Sequence, residues 1–129
     1  MRIYLVRHAE AASGEPDHER PLTSMGREQA ARVAERLATT DPRPVAVLTS
    51  PLLRARQTAE LIAAPLDLDP EPDQRLAPGA TAADLRAAVA DRGDTVVVGH
   101  QPDCGNIAAE LTGGAEPAFP PGGMVVIEL

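Results

Sequence analysis

Two arginines and two histidines sit where they could act on one ligand. Arg7-His8 closes one apolar run, Gly99-His100 closes another, and Arg54 lies one helical turn beyond Ser50-Pro51, which closes a third. A guanidinium presents a planar fork of donors that matches the oxygens of a tetrahedral anion, and a helix start adds free backbone N–H groups. Transfer of a phosphoryl group needs little more than positioning and charge stabilisation, so such a cluster suits it. An imidazole nucleophile must be neutral, and neighbouring cationic arginines lower its pKa and keep it so.

These residues meet only if the chain between them folds in a particular way. Arg2–Val6, Val45–Thr49, Thr95–Val98 and Met124–Leu129 are short runs rich in β-formers and read as strands; Asp67–Arg75 holds at most a poor edge strand, because of Pro70 and Pro72. Helical spacing fills the intervals. Thr23 caps a helix carrying Gly26, Ala30, Val33, Ala34 and Leu37, and Ser50-Pro51 reads as cap and first residue of a second helix with Ala55, Ala59 and Ile62 on one face. Thr81 and Asp84 form a capping-box pattern ahead of Leu85, Ala88 and Val89, and a fourth helix runs from Pro102 or Asp103 to Gly113-Gly114. Alternating strands and helices predict an α/β, three-layer α/β/α sandwich on a mostly parallel sheet, as one domain over residues 1–129. Parallel strands would bring His8, His100, Arg7 and Arg54 to the carboxyl edge, where open α/β sheets bind ligands. Arg54 would reach back over that edge, because helix side chains tilt toward the helix start.

Composition removes other classes. All twelve basic residues are arginine, against nineteen acidic residues and a formal net charge of −7, so neither a P-loop lysine nor a Schiff-base lysine exists. Tyr4 and Phe119 are the only aromatic residues, too few for base-stacking platforms, and the acidic balance opposes binding to a phosphate backbone; nucleic acid is not an expected partner. No apolar stretch approaches a membrane span, and Met1–Glu10 reads as a strand bounded by charges, not as a signal peptide; a cytoplasmic location is the expectation. The single Cys104 fits a reducing compartment and reads as a small buried hydrophobe. A cysteine-phosphatase loop would need an arginine where Glu110 stands. Zinc on His100 and Cys104, with Asp103 or His8, lacks the paired Cys and His motifs that mark such sites. His18, in an acid-rich loop, reads as a bystander.

Arg7-His8-Ala9-Glu10 at the end of the first strand resembles the RHG/RHA signature of the histidine phosphatase superfamily, the phosphoglycerate mutase-like fold. Ser50 to Ala59 is similar to that superfamily's second block, Gly99-His100 to its third, and Arg20-Pro21-Leu22-Thr23 with Gly26 and Gln29-Ala30 to its LTxxGxxQA segment. Four blocks in order, from residue 2 to about 108, are far more specific than any one alone. Small size points to the SixA-like branch, the phosphohistidine phosphatases. The resemblance implies that His8 is the nucleophile, that Arg7 and Arg54 hold the phosphoryl oxygens, and that His100, protonated when phosphate is bound, is the fourth side chain on the group. It further implies substrate contacts from Arg20 at the rim and the Gln101 N–H. Neither cofactor nor metal is required, since arginines supply the charge. Glu10 is a possible acid or, more in keeping with its place, a partner for an arginine.

One departure bears on substrate. Longer superfamily members carry a lid and an acidic proton donor between the second and third blocks. Here Ala63 to Asp94 holds a Pro-rich connector and one short helix, and the mutase glutamate's place reads Gln74-Arg75-Leu76-Ala77-Pro78. General acid help is typically worth about 10²–10⁴-fold, and an alkoxide needs it far more than an imidazole does. The expected substrate is therefore phosphohistidine on a phosphotransfer or carrier protein. Small phosphoesters, with Glu10, Asp17 or another loop acid as donor, and a non-catalytic phosphate-recognition module are the alternatives. Phosphate or sulfate would fit the same site.

Overall fold

The computed structural model describes residues 1–129. Five strands form one sheet: β1 (Arg2–Arg7), β2 (Ala46–Thr49), β3 (Pro70–Pro72), β4 (Thr95–Gly99) and β5 (Met124–Glu128), in the order β3-β2-β4-β1-β5. The β1–β4, β4–β2 and β2–β3 pairs are parallel, and β5 closes the far edge antiparallel to β1. β3 is the three-residue edge that two prolines permit, since an edge strand needs N–H groups on one side only.

Both faces of the sheet are apolar, so the strands read as unbroken hydrophobic runs and not as alternating ones. Ile3, Leu5, Leu48, Val97 and Ile127 face α3 (Ala82–Val89) and α4 (Asp103–Thr112) through Leu85, Val89, Cys104 and Ile107. Tyr4, Val6, Val47, Val96 and Val98 face α1 (Ser24–Ala38) and α2 (Leu53–Leu66) through Val33, Leu37, Ala59 and Ile62. The result is the three-layer α/β/α sandwich with a mostly parallel sheet.

Local chemistry explains the helix ends, with one correction. The Thr23 side chain accepts from the Gly26 N–H, and the Thr81–Asp84 box is reciprocal. Ser50-Pro51, however, does not open α2: the helix starts at Leu53 with Leu52 at the cap position. Ser50 is fully buried, and its hydroxyl meets His100 Nε2 while also accepting from the Leu52 N–H. Gly26 is fixed by close approach, because a Cβ there would overlap the Glu10 carbonyl. That contact seats α1 against the chain leaving β1.

Candidate active site

The carboxyl edge of the sheet carries the polar residues. The His8 N–H donates to the Gly99 carbonyl at 2.9 Å, extending the β1–β4 ladder beyond the strand, and the His8 and His100 rings come to 5.2 Å between centroids. His8 Nδ1 lies 2.8 Å from the Ala9 carbonyl. A carbonyl only accepts, so Nδ1 carries the proton and the lone pair of the neutral ring is on Nε2. Burial pushes the His8 pKa down to about 4; Arg54, Arg7 and Arg20 add to the fall, and the Ala9 bond opposes it. Burial thus does most of what the sequence assigns to the arginines.

His100 is 4% exposed, and its Nε2 lies 2.7 Å from Ser50 Oγ. Ser50 Oγ also accepts from the Leu52 N–H, so one hydroxyl joins the His100 ring to the start of α2, while His100 Nδ1 has no partner. Burial, then His8 and Arg54, lower its pKa to about 4, with Asp17 opposing. His100 is therefore neutral near pH 7, whereas the resemblance implies a protonated ring once phosphate is bound.

Arg54, 7% exposed, donates through Nη1 to the Asp17 carbonyl (2.9 Å) and through Nη2 to Asp17 Oδ2 (3.3 Å). Thr58 Oγ1 donates to the Arg54 carbonyl and accepts from the Ala9 N–H, tying α2 to the exit of β1. Arg7 donates through Nη1 to the Phe119 carbonyl at 3.0 Å. Arg20 reaches Asp17 Oδ1 through Nε (3.0 Å) and the Ala12 carbonyl through Nη1 (3.1 Å). Three buried nitrogens in this cluster, Arg7 Nε, Arg54 Nε and His100 Nδ1, have no partner at all. The backbone N–H of Gln101 makes no hydrogen bond within the protein either, while its side chain accepts from Gly105.

Arg7, His8, Glu10, Arg20, Arg54, His100 and Gln101 all line one open cavity of about 370 Å³, completed by Ala11, Pro78 and Pro121. Glu10 departs from expectation in its partner: its carboxylate accepts from the Thr23 hydroxyl at 2.7 Å and pairs with no arginine. The Thr23 cap and the Gly26 contact hold Glu10 against α1 instead. Sequence reasoning did not find Ser50 as the partner of His100, nor Asp17 as the acid between Arg54 and Arg20. The i, i+3 spacing of Asp17 and Arg20 was a signal for the second; the first was hidden behind a familiar capping pattern. His18 is exposed beside Glu19. Cys104 is buried, its thiol pushed up to about 12, chiefly by burial. No three His, Cys, Asp or Glu side chains come close enough to hold a metal ion, so the zinc grouping of His100 and Cys104 does not assemble.

Residues 3–78 match the histidine phosphatase superfamily (branch 1). An uncharacterised protein of Picosynechococcus is 44% identical over 124 residues, which covers 88% of this chain and 74% of that protein. The phosphohistidine phosphatase SixA of Escherichia coli is 32% identical over 125 residues, covering 91% of this chain and 78% of SixA. A structure of the protein histidine phosphatase SixA complexed with tungstate superposes with a TM-score of 0.89 at 30% identity, over 100% of this chain and 88% of that one. The chain belongs to the histidine phosphatase superfamily, in its SixA-like branch. Its class is that of a phosphatase.

Proposed function

We propose that residues 1–129 form one catalytic domain that removes the phosphoryl group from phosphohistidine on a partner protein, in two steps through phospho-His8. The observation that carries this reading is the set of unmet donors around one neutral imidazole. A buried donor without an acceptor costs about 1–3 kcal/mol, so Arg7 Nε and Arg54 Nε, with the unpartnered His100 Nδ1 beside them, are expensive unless a ligand brings oxygens. A phosphoryl group brings three. In the first step His8 Nε2 attacks phosphorus, the P–N bond of the substrate breaks, and its electron pair leaves on the substrate imidazole. In the second, water attacks phosphorus, the bond to Nε2 breaks, and phosphate departs. Arg7, Arg54 and His100 hold the oxygens in both, Arg20 and the Gln101 N–H serve the rim, and the arginines supply the charge a metal would otherwise bring.

The acid inventory supports the substrate. Asp17 is held ionised, since Arg20 and then Arg54 pull its carboxyl below the usual range, and an ionised group donates no proton. Of the segment Gln74-Arg75-Leu76-Ala77-Pro78, which contains no carboxylate, Pro78 lines the cavity. Tungstate is a tetrahedral oxyanion, and its complex with SixA fits the same reading for this site. No helix is long and apolar enough to cross a membrane.

Labelled phosphoryl should be trapped on the wild-type chain and absent from His8→Ala. Rates on a phosphohistidine protein or phosphoramidate should exceed those on alkyl phosphomonoesters; equal or faster ester hydrolysis sinks the substrate assignment. A second reading rests on Glu10, the remaining carboxylate on the cavity wall. If esters are turned over well and Glu10→Gln abolishes only that activity, Glu10 is the acid of a small-molecule phosphatase.

A further inference from the structure

Asp17 already occupies part of what the phosphoryl group would use. Its Oδ2 accepts from Arg54 Nη2, its Oδ1 from Arg20 Nε, and its main-chain oxygen from Arg54 Nη1. The Asp17 side chain is 67% exposed while that of Arg54 is 8% exposed, so the aspartate is held by two cations and not by packing. It stands on a single 3-10 turn, Asp17–Glu19, whereas Arg54 is anchored in α2. Of the two, the aspartate is the one free to yield.

We infer that the Asp17 carboxylate is a built-in competitor for the oxyanion, paired with Arg54 and Arg20 and repelled when a phosphoryl group arrives. This rests on the reading of Arg54 as a phosphoryl ligand. The reaction makes such a device useful: its product, inorganic phosphate, has the same shape and charge as the group transferred. Binding that treats both alike raises affinity without raising turnover. A carboxylate returning to the arginines hastens phosphate release. Arg54 lines the cavity with Arg7, His8 and His100, so an anion entering there meets the guanidinium that Asp17 holds. The opposite role, a clamp that orients Arg54 for phosphate, would use the same contacts and differ in sign.

Asp17→Asn separates the two, since it removes the charge but keeps the size, a side-chain acceptor and the backbone carbonyl. Glu19→Gln removes the same charge two residues away, where the partner is only His18 at 3.8 Å. Affinity for inorganic phosphate and for tungstate, measured by calorimetry on the full chain, should rise about 2- to 5-fold in Asp17→Asn, the scale of an exposed ion pair. The inhibition constant for phosphate should fall in parallel, and Glu19→Gln should move affinity less than half as much. Weaker or unchanged binding in Asp17→Asn, or an equal gain in Glu19→Gln, overturns the inference. Absence of phosphate binding in wild type, together with absence of hydrolysis, overturns the functional reading itself.

Discussion

β1 carries an arginine at each end, and the two are treated in opposite ways. At the amino end, Arg2 donates to the Asp41 and Pro42 carbonyls, pairs with Asp94 at 3.5 Å, and lies 5.9 Å over the Tyr4 ring. At the carboxyl end, Arg7 has one carbonyl partner, no carboxylate, and a buried Nε with no acceptor. The strand thus begins with partnered polar groups and ends, at the candidate site, with an unmet one. The amino edge contributes stability; the carboxyl edge forgoes some of it, the arrangement that the proposed anion site requires.

The largest effect should come from exchanging these roles. Arg7→Met should lower kcat/KM by about 10²–10³-fold, the usual cost of losing an oxyanion donor. Its melting temperature should hold or rise, because an unmet donor leaves with the charge. Arg2→Met should keep kcat/KM within about two-fold and lose up to about 1 kcal/mol. Parallel losses of activity in both would erase the distinction between the ends.

Acid should expose the same asymmetry. His8 and His100 are held at about 4, below the ordinary 6.5. Folding therefore disfavours their protonation, so between pH 6.5 and about 4 the unfolded chain binds more protons and stability falls as pH falls. At about 1.4 kcal/mol per unit, the loss is on the order of a few kcal/mol and complete below about 4. Asp17 and Asp73, shifted downward by arginine partners, add their losses only at lower pH. Urea melts at pH 7 and 4.5 measure this; a flat profile, or an acid loss that persists in the His8→Asn, His100→Asn double variant, would contradict it.

Legibility divided along related lines. What rests on local pattern was visible: the buried face of α1, the Thr81–Asp84 box, and the three strand exits that gather Arg7, His8, Arg54 and His100. What rests on contacts across the chain was not. The Phe119 carbonyl on Arg7 comes from 112 residues away, Asp17 reaches Arg54 across 37, and Ser50 reaches His100 across 50. Glu10 was misread for the same reason, since its partner is set by how α1 docks beside β1. Ser50-Pro51 was misread for another: propensity suggested a cap, and a buried imidazole claimed the hydroxyl.

Ser50→Ala tests that last point at intermediate size. Removing the Oγ that lies 2.7 Å from His100 Nε2 should lower kcat/KM by about ten-fold and stability by about 1 kcal/mol. Because Ser50 acts through His100, nitrogen NMR of the imidazole is the sharper measure. A changed His100 tautomer in Ser50→Ala, with His8 unaltered, marks a positioning role; an unchanged His100 tautomer would reduce Ser50 to packing.

The smallest catalytic effect is expected where the amino edge is closed. Asp94 accepts from the Arg2 backbone N–H through Oδ1 at 2.7 Å and pairs with the Arg2 guanidinium through Oδ2, joining the start of β1 to the residue before β4. Asp94→Ala leaves that N–H without its acceptor and removes a mostly sheltered ion pair, so stability should fall by about 1–2 kcal/mol. For a chain of this size that is a drop of about 3–8 °C in Tm. The β1–β4 register runs from Ile3–Thr95 to Arg7–Gly99, and the His8 N–H to Gly99 bond lies beyond its far end. Five paired residues insulate the two histidines of the candidate site from the loss, so kcat/KM at 25 °C should stay within about two-fold of wild type. If Asp94→Ala instead lowers turnover as far as Ser50→Ala does, strain passes along the strand and the two ends of β1 are not independent.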